Sequence, residues 1–233
     1  MHDEQFAEPG RAGSVRVGLK LVSAENRHPD GPAPRYLRMP YAEKRMQVGL
    51  FGGSFNPPHA GHALVAEIAL RALRLDQLWW IVTPGNPLKS GRALAPLAER
   101  IAMSEAIAED PRIKVTAFEA AFNVRYTADM LAAVLALNPG VDFVWVMGAD
   151  NLAQFHRWQR WRQIALSVPI AVIDRPGSTL SFVSSVMAKT FDYARIDERE
   201  AGRLARMRSP AWTFIHGPRS SLSSSAIRNA SGA

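Results

Sequence analysis

Hydrophobic positions fall into short dense runs separated by helical stripes, and the pattern begins only after residue 45. Residues 48–51, Val-Gly-Leu-Phe, form an apolar run of strand length that ends at a glycine pair. Over 63–73, Leu64, Ile68 and Ala72 recur at helical spacing, with Val65 and Ala69 widening the stripe. Residues 77–82 read as a second strand to which Trp79 and Trp80 give bulk. An amphipathic helix follows over 97–108, then a short strand over 113–115. Another helix opens at Tyr126-Thr127, with Thr127 the expected N-cap and Tyr126 a core residue. Residues 141–147, Val-Asp-Phe-Val-Trp-Val-Met, carry the strongest central-strand signal. Further strands are expected over 169–173 and 212–215, separated by mixed helix and loop with clustered charges. Strands alternating with helices predict an α/β chain.

Residues 1–45 lack this pattern. Pro, Gly, Arg and acidic residues follow one another without period, and 26–35 is loop chemistry throughout. No apolar h-region marks a secretory signal. Residues 1–45 are therefore expected to be a disordered or non-native extension, and 46–233 the folded domain. The length of 233 residues suits one such domain with a substantial core. Without cysteine there is no disulfide, thiolate metal site or thiol nucleophile, which fits the cytoplasm. No apolar run approaches the roughly 20 residues of a membrane span. The net charge of +7 and pI near 10.2 favour anionic partners. Basic residues are scattered rather than striped with aromatics, so phosphorylated small molecules are expected rather than nucleic acid or membrane.

The candidate chemistry starts at the glycine pair. Gly52-Gly53-Ser54-Phe55-Asn56-Pro57-Pro58-His59-Ala60-Gly61-His62 breaks the first strand, turns, and delivers two histidines at a helix start. Glycine allows a phosphate to approach the backbone closely, or φ to turn positive. The first N–H groups of the helix and its dipole face the same point, and two imidazoles add donors. The stretch is neither a dinucleotide fingerprint nor a P-loop, since G-x-G-x-x-G and Gly-Lys-Ser/Thr are both missing.

This stretch resembles the signature of nucleotidyltransferases with a H-x-G-H motif, here His59-Ala60-Gly61-His62, and within them the bacterial nicotinate-nucleotide adenylyltransferases. Other segments carry the same resemblance. Pro87-Leu88-Lys89 matches a Pro-rich loop ending in a basic residue. Tyr126-Thr127-Ala128-Asp129-Met130-Leu131 is similar to Tyr-Thr-x-Asp-Thr-Leu, with Met130 replacing the second Thr. Gly148-Ala149-Asp150 with Trp158 matches Gly-Ala-Asp…Trp, and Arg175-Pro176-Gly177 a strand-end Arg-Pro-Gly. Leu222-Ser223-Ser224-Ser225-Ala226-Ile227-Arg228 resembles Ile-Ser-Ser-Thr-x-Ile-Arg.

The resemblance implies a Rossmann-like open parallel sheet with helices on both faces. It also implies a reaction: adenylyl transfer from ATP to nicotinate mononucleotide, giving deamido-NAD and pyrophosphate, with Mg2+ carried by the ATP phosphates and no protein metal cage. His59, His62 and Arg228 are the catalytic candidates. Gly52, Gly53, Ser54, Phe55, Lys89, Ser223 and Ser224 are assigned to ATP and its phosphates. Thr127, Gly148, Asp150 and Trp158 are assigned to ribose and pyridine, and Trp161 to packing. An anionic phosphate nucleophile needs no general base, so positioning and charge stabilisation suffice. Alternatives are another transferase of the superfamily (nicotinamide mononucleotide, pantetheine phosphate, FMN or CTP-linked substrates) and a non-catalytic nucleotide- or RNA-binding module. A homo-oligomer is left open.

Overall fold

Strand β1 (Gln47–Gly53) lies inside a six-stranded sheet with β2 (Gln77–Val82), β3 (Ile113–Thr116), β4 (Asp142–Gly148), β5 (Ile170–Ile173) and β6 (Trp212–Ile215). The computed structural model describes residues 31–85, 94–122, 124, 126–174 and 185–217. All five strand pairings are parallel, in the order β3-β2-β1-β4-β5-β6. The order reverses between β1 and β4, which is the point where doubly wound sheets open a ligand crevice beyond their carboxyl ends.

Alternation along the strands builds a core on each face. Val48, Leu50, Trp79, Ile81, Phe143 and Trp145 belong to one core, packed with α4 (Thr127–Leu137), α6 (Trp161–Ser167) and α7 (Val186–Thr190). Phe51, Leu78, Trp80, Val144 and Val146 belong to the other, packed with α1 (Ala60–Ala72), α2 (Leu97–Ile107) and the 3-10 helix Glu198–Arg206. Short helices α3 (Glu119–Phe122) and α5 (Ala149–Leu152) follow β3 and β4. Rossmann-like architecture is thus observed, with helices on both faces of a parallel sheet.

Two expectations need correction. Residues 31–45, counted with the extension, are partly built into the domain. Pro34–Leu37 forms a 3-10 turn with Tyr36 buried. The Tyr36 carbonyl accepts from Ala117 N–H (2.7 Å) and Thr116 Oγ1 (3.1 Å), and its hydroxyl donates to Glu105 Oε2 (2.5 Å). The segment thus packs at the carboxyl end of edge strand β3, where Thr116 Oγ1 also donates to the Arg38 carbonyl (3.0 Å). Met39 and Ala42 also pack on the core and the Arg45 N–H donates to the Gly140 carbonyl (2.6 Å), attachments that loop-like composition hides. Residues 1–30 lie outside the described residues. The other correction concerns α4: its N-cap is the extended Tyr126, Thr127 is its first helical residue, and Tyr126 is exposed rather than core.

Among the described residues no helix is long and apolar enough to cross a membrane.

Candidate active site

The two histidines cap α1 reciprocally. His59, the extended N-cap, accepts the Gly61 N–H on Nδ1 at 3.1 Å. His62, three residues on, accepts the His59 N–H on its own Nδ1 at 3.2 Å. This is a capping box built from imidazoles in place of the usual hydroxyl and carboxylate. An Nδ1 that accepts carries no proton, so each ring's proton sits on Nε2, making that atom the donor. The rings lie 3.8 Å apart between centroids. His59 is buried and His62 half-buried.

An aromatic shelf seats His62. Phe55 meets it edge-on at 5.0 Å, and packs in turn on Phe51 (5.3 Å) and Trp80 (4.7 Å). Phe55 takes a positive φ of 43°, an uncommon conformation for a residue with a side chain. Its ring folds back over Gly53, where an added Cβ would stand 3.1 Å from it. A Cβ on Gly52 would fall 2.7 Å from Trp145 Cη2 on the opposite face. Neither glycine has a positive φ, so the pair is required by packing before any phosphate is considered.

Beneath the turn lies Arg100 of α2, 1% exposed. Its Nη1 donates to the carbonyls of Ser54 (2.6 Å) and Thr83 (2.8 Å), its Nη2 to Pro84 (3.3 Å), and its Nε to Ala95 (2.9 Å). Among the described residues no carboxylate reaches it, and burial alone pulls its pKa below the ordinary guanidinium value. Asn56 Oδ1 accepts the Ala95 N–H nearby (3.2 Å).

Across the crevice β4 ends at Gly148, the N-cap of α5, which puts Asp150 in that helix's first turn, exposed. Thr127 stands at the start of α4. Trp158 is half-buried, edge-on to Trp145 (6.2 Å) and Phe155 (5.3 Å). Arg160 pairs with Asp129, tying the Trp158 turn to the first turn of α4. Trp161 is buried against Phe155 and Phe191, as its packing assignment required. The structure thus sets His59, His62, Gly52, Gly53, Ser54 and Phe55 around one turn, and Gly148 and Asp150 at the end of the adjacent strand. Lys89, Arg175, Ser223, Ser224 and Arg228 lie outside the described residues. Among the described residues no group of three or more His, Cys, Asp or Glu is placed to hold a metal ion.

The cytidylyltransferase-like family profile matches residues 50–230. A protein of Mesorhizobium japonicum, named a probable nicotinate-nucleotide adenylyltransferase, is 80% identical over 190 residues, 82% of this chain and 97% of its own. The chain belongs to the nicotinate-nucleotide adenylyltransferase family. A Brucella abortus protein of the same name is 74% identical over 78% of this chain and 94% of its own. The fold extends further: the Plasmodium falciparum nicotinic acid mononucleotide adenylyltransferase complexed with NaAD superposes with a TM-score of 0.60 at 19% identity, over 79% of this chain and 83% of that one. What sequence reasoning missed in this nicotinate-nucleotide adenylyltransferase family member is Arg100. Its position inside an amphipathic helix offered no signal, because a buried arginine and a solvated one look alike in a helical stripe.

Proposed function

We propose that the chain transfers the adenylyl group of ATP to nicotinate mononucleotide. A phosphate oxygen of the mononucleotide attacks the α-phosphorus. A new P–O bond forms, the bond to the β-phosphate bridging oxygen breaks, and pyrophosphate leaves with the electron pair, giving deamido-NAD. The observation that carries the reading is the reciprocal cap of His59 and His62 beside the β1/β4 switch point, which makes two Nε2 donors at a helix start. His62, the more accessible ring, is assigned to the α-phosphate. Such donors act where charge accumulates in the transition state.

The other roles follow the same reading. Gly52, Gly53, Ser54 and Phe55 shape the nucleotide site, and Asp150 takes ribose hydroxyls, to which a carboxylate can accept two bonds. Thr127 and Trp158 border the pyridine. Lys89, Ser223, Ser224 and Arg228 hold the triphosphate. Chain reach supports the last assignment. A Cβ on Gly217 would lie 2.6 Å from Ile68 Cδ1, so the chain leaving β6 crosses α1 there. Ile68 is roughly 9 Å along the helix from His62. The segment from Gly217 to Ser223 can extend about 20 Å. Magnesium arrives on the triphosphate as part of the substrate. Residues 46–233 form the catalytic domain, and the cytoplasm is its compartment.

The test is a chromatographic assay with Mg-ATP and either nicotinate or nicotinamide mononucleotide. Deamido-NAD and pyrophosphate should appear together from the acid substrate. Product from neither acceptor would refute the reading. His62→Ala should lower kcat by roughly 10²- to 10³-fold, the loss typical of one transition-state donor.

A further inference from the structure

We infer that Arg100 is a positioning residue for the triphosphate: its buried guanidinium draws the carbonyls of Ser54, Thr83 and Pro84 inward, and so holds the crevice mouth in a form that accepts a polyanion. The identity of the anion rests on the adenylyl-transfer reading; the clamp does not.

The geometry is unusual for a structural arginine. A buried guanidinium ordinarily faces a carboxylate. Here, among the described residues, every guanidinium bond goes to a backbone carbonyl, and three of these four carbonyls come from the chain just past the carboxyl ends of β1 and β2. The fork is what allows this, since one planar group reaches Ser54, Thr83, Pro84 and Ala95 at once, where a lysine ammonium presents a single point.

The consequence lies in the peptide planes. In a trans peptide the carbonyl of one residue and the N–H of the next point in opposite directions. With the Ser54 carbonyl fixed on Arg100, the Phe55 N–H is directed away from the buried guanidinium. The Pro84 carbonyl fixes the Gly85 N–H in the same sense, and Gly85 is exposed. Three carbonyl oxygens, each a partial negative charge, are kept off the mouth where the triphosphate has to sit. The positive φ of Phe55 belongs to the same arrangement, because it follows the Ser54 peptide that Arg100 holds. The same Phe55 ring seats His62, so the clamp and the catalytic imidazole share one turn. The guanidinium keeps its charge even with its pKa lowered by burial, and among the described residues no carboxylate offsets it, so that charge adds to the field at the mouth.

The experiment compares full-length wild type with Arg100→Lys and Arg100→Met. It uses a fluorescent ATP-analogue titration, steady-state kinetics on both substrates, and far-UV circular dichroism. Both variants should weaken analogue binding and raise KM for Mg-ATP at least tenfold, while KM for the mononucleotide at saturating ATP changes less than about threefold. In a third variant, Arg100→Ala, millimolar methylguanidinium should restore part of the ATP-side loss, and it should restore none in Arg100→Lys. Equal losses on both substrates, or unchanged analogue binding in a folded variant, would overturn the assignment. If Arg100→Met does not fold, Arg100→Lys decides; if both fail to fold, Arg100 is a stability residue and the inference falls. Analogue binding is read without the acceptor. A wild type that binds ATP but does not adenylate nicotinate mononucleotide therefore sinks the proposed reaction and leaves the clamp standing.

Discussion

Gly52 and Gly53 look outward to opposite faces of the sheet, and each is held small by a different aromatic ring. The two contacts differ in what can give way. Trp145 is 2% exposed and wedged in its core, so Gly52→Ala forces an indole to move from a 2.7 Å contact. This overpacking should cost about 1–3 kcal/mol, read as a lower urea midpoint. Phe55 need give only a few tenths of an ångström for Gly53→Ala, so stability should fall less. Turnover should suffer more, because the displaced ring is the one against which His62 rests. The sequence pointed to both glycines for phosphate approach and positive φ. The reasons visible in the fold are neighbours distant in sequence, which no local reading could supply. His59 and His62 were legible as a pair at a helix start. Their mutual capping depends on ring orientation and was not.

How legible each element is in the sequence follows how it is buried. The strands expected over 77–82 and 212–215 coincide with β2 and β6, because strands buried on both faces are mostly apolar and show little alternation to blur them. The start of α4 slipped by one residue: a Thr beside the helix start suggested a cap, while the extended backbone belongs to Tyr126. The turn over Pro34–Leu37 has no periodic apolar pattern to mark it, since Tyr36 is its one buried residue. Tyr36→Ala removes a buried ring and its hydrogen bond to Glu105, and should lower unfolding free energy by about 3 kcal/mol in chemical denaturation. Deleting residues 1–45 should destabilise by at least as much.

Across the whole molecule, ionisation narrows stability from both sides of neutral pH. Burial raises the Glu119 carboxyl from 4.5 to about 8. Between those values the folded chain keeps a proton that the unfolded chain releases, so unfolding free energy falls as pH rises through the window. Asp110 acts in the opposite sense. The Arg112 side chain and backbone N–H hold it near 2, so its contribution is present above the ordinary carboxylate range and lost as pH falls toward 2. Glu198, lowered chiefly by the His216 N–H, adds to that acid limb. Glu119→Gln should raise the urea midpoint at pH 8 and leave it nearly unchanged at pH 4.5. A difference of equal size at both pH values would remove Glu119 as the cause. At this scale the sheet class and the crevice at its carboxyl ends were legible from alternation and one motif. The strand order was not, since nothing local says that β1 sits beside β4.

That adjacency has a consequence for how the enzyme tolerates change. Odd and even positions of β1 serve separate hydrophobic compartments, and at Gly52-Gly53 the partition thins to bare main chain. Repacking in either compartment, however far from any ligand, is therefore transmitted to the lip of the crevice without a side chain to absorb it.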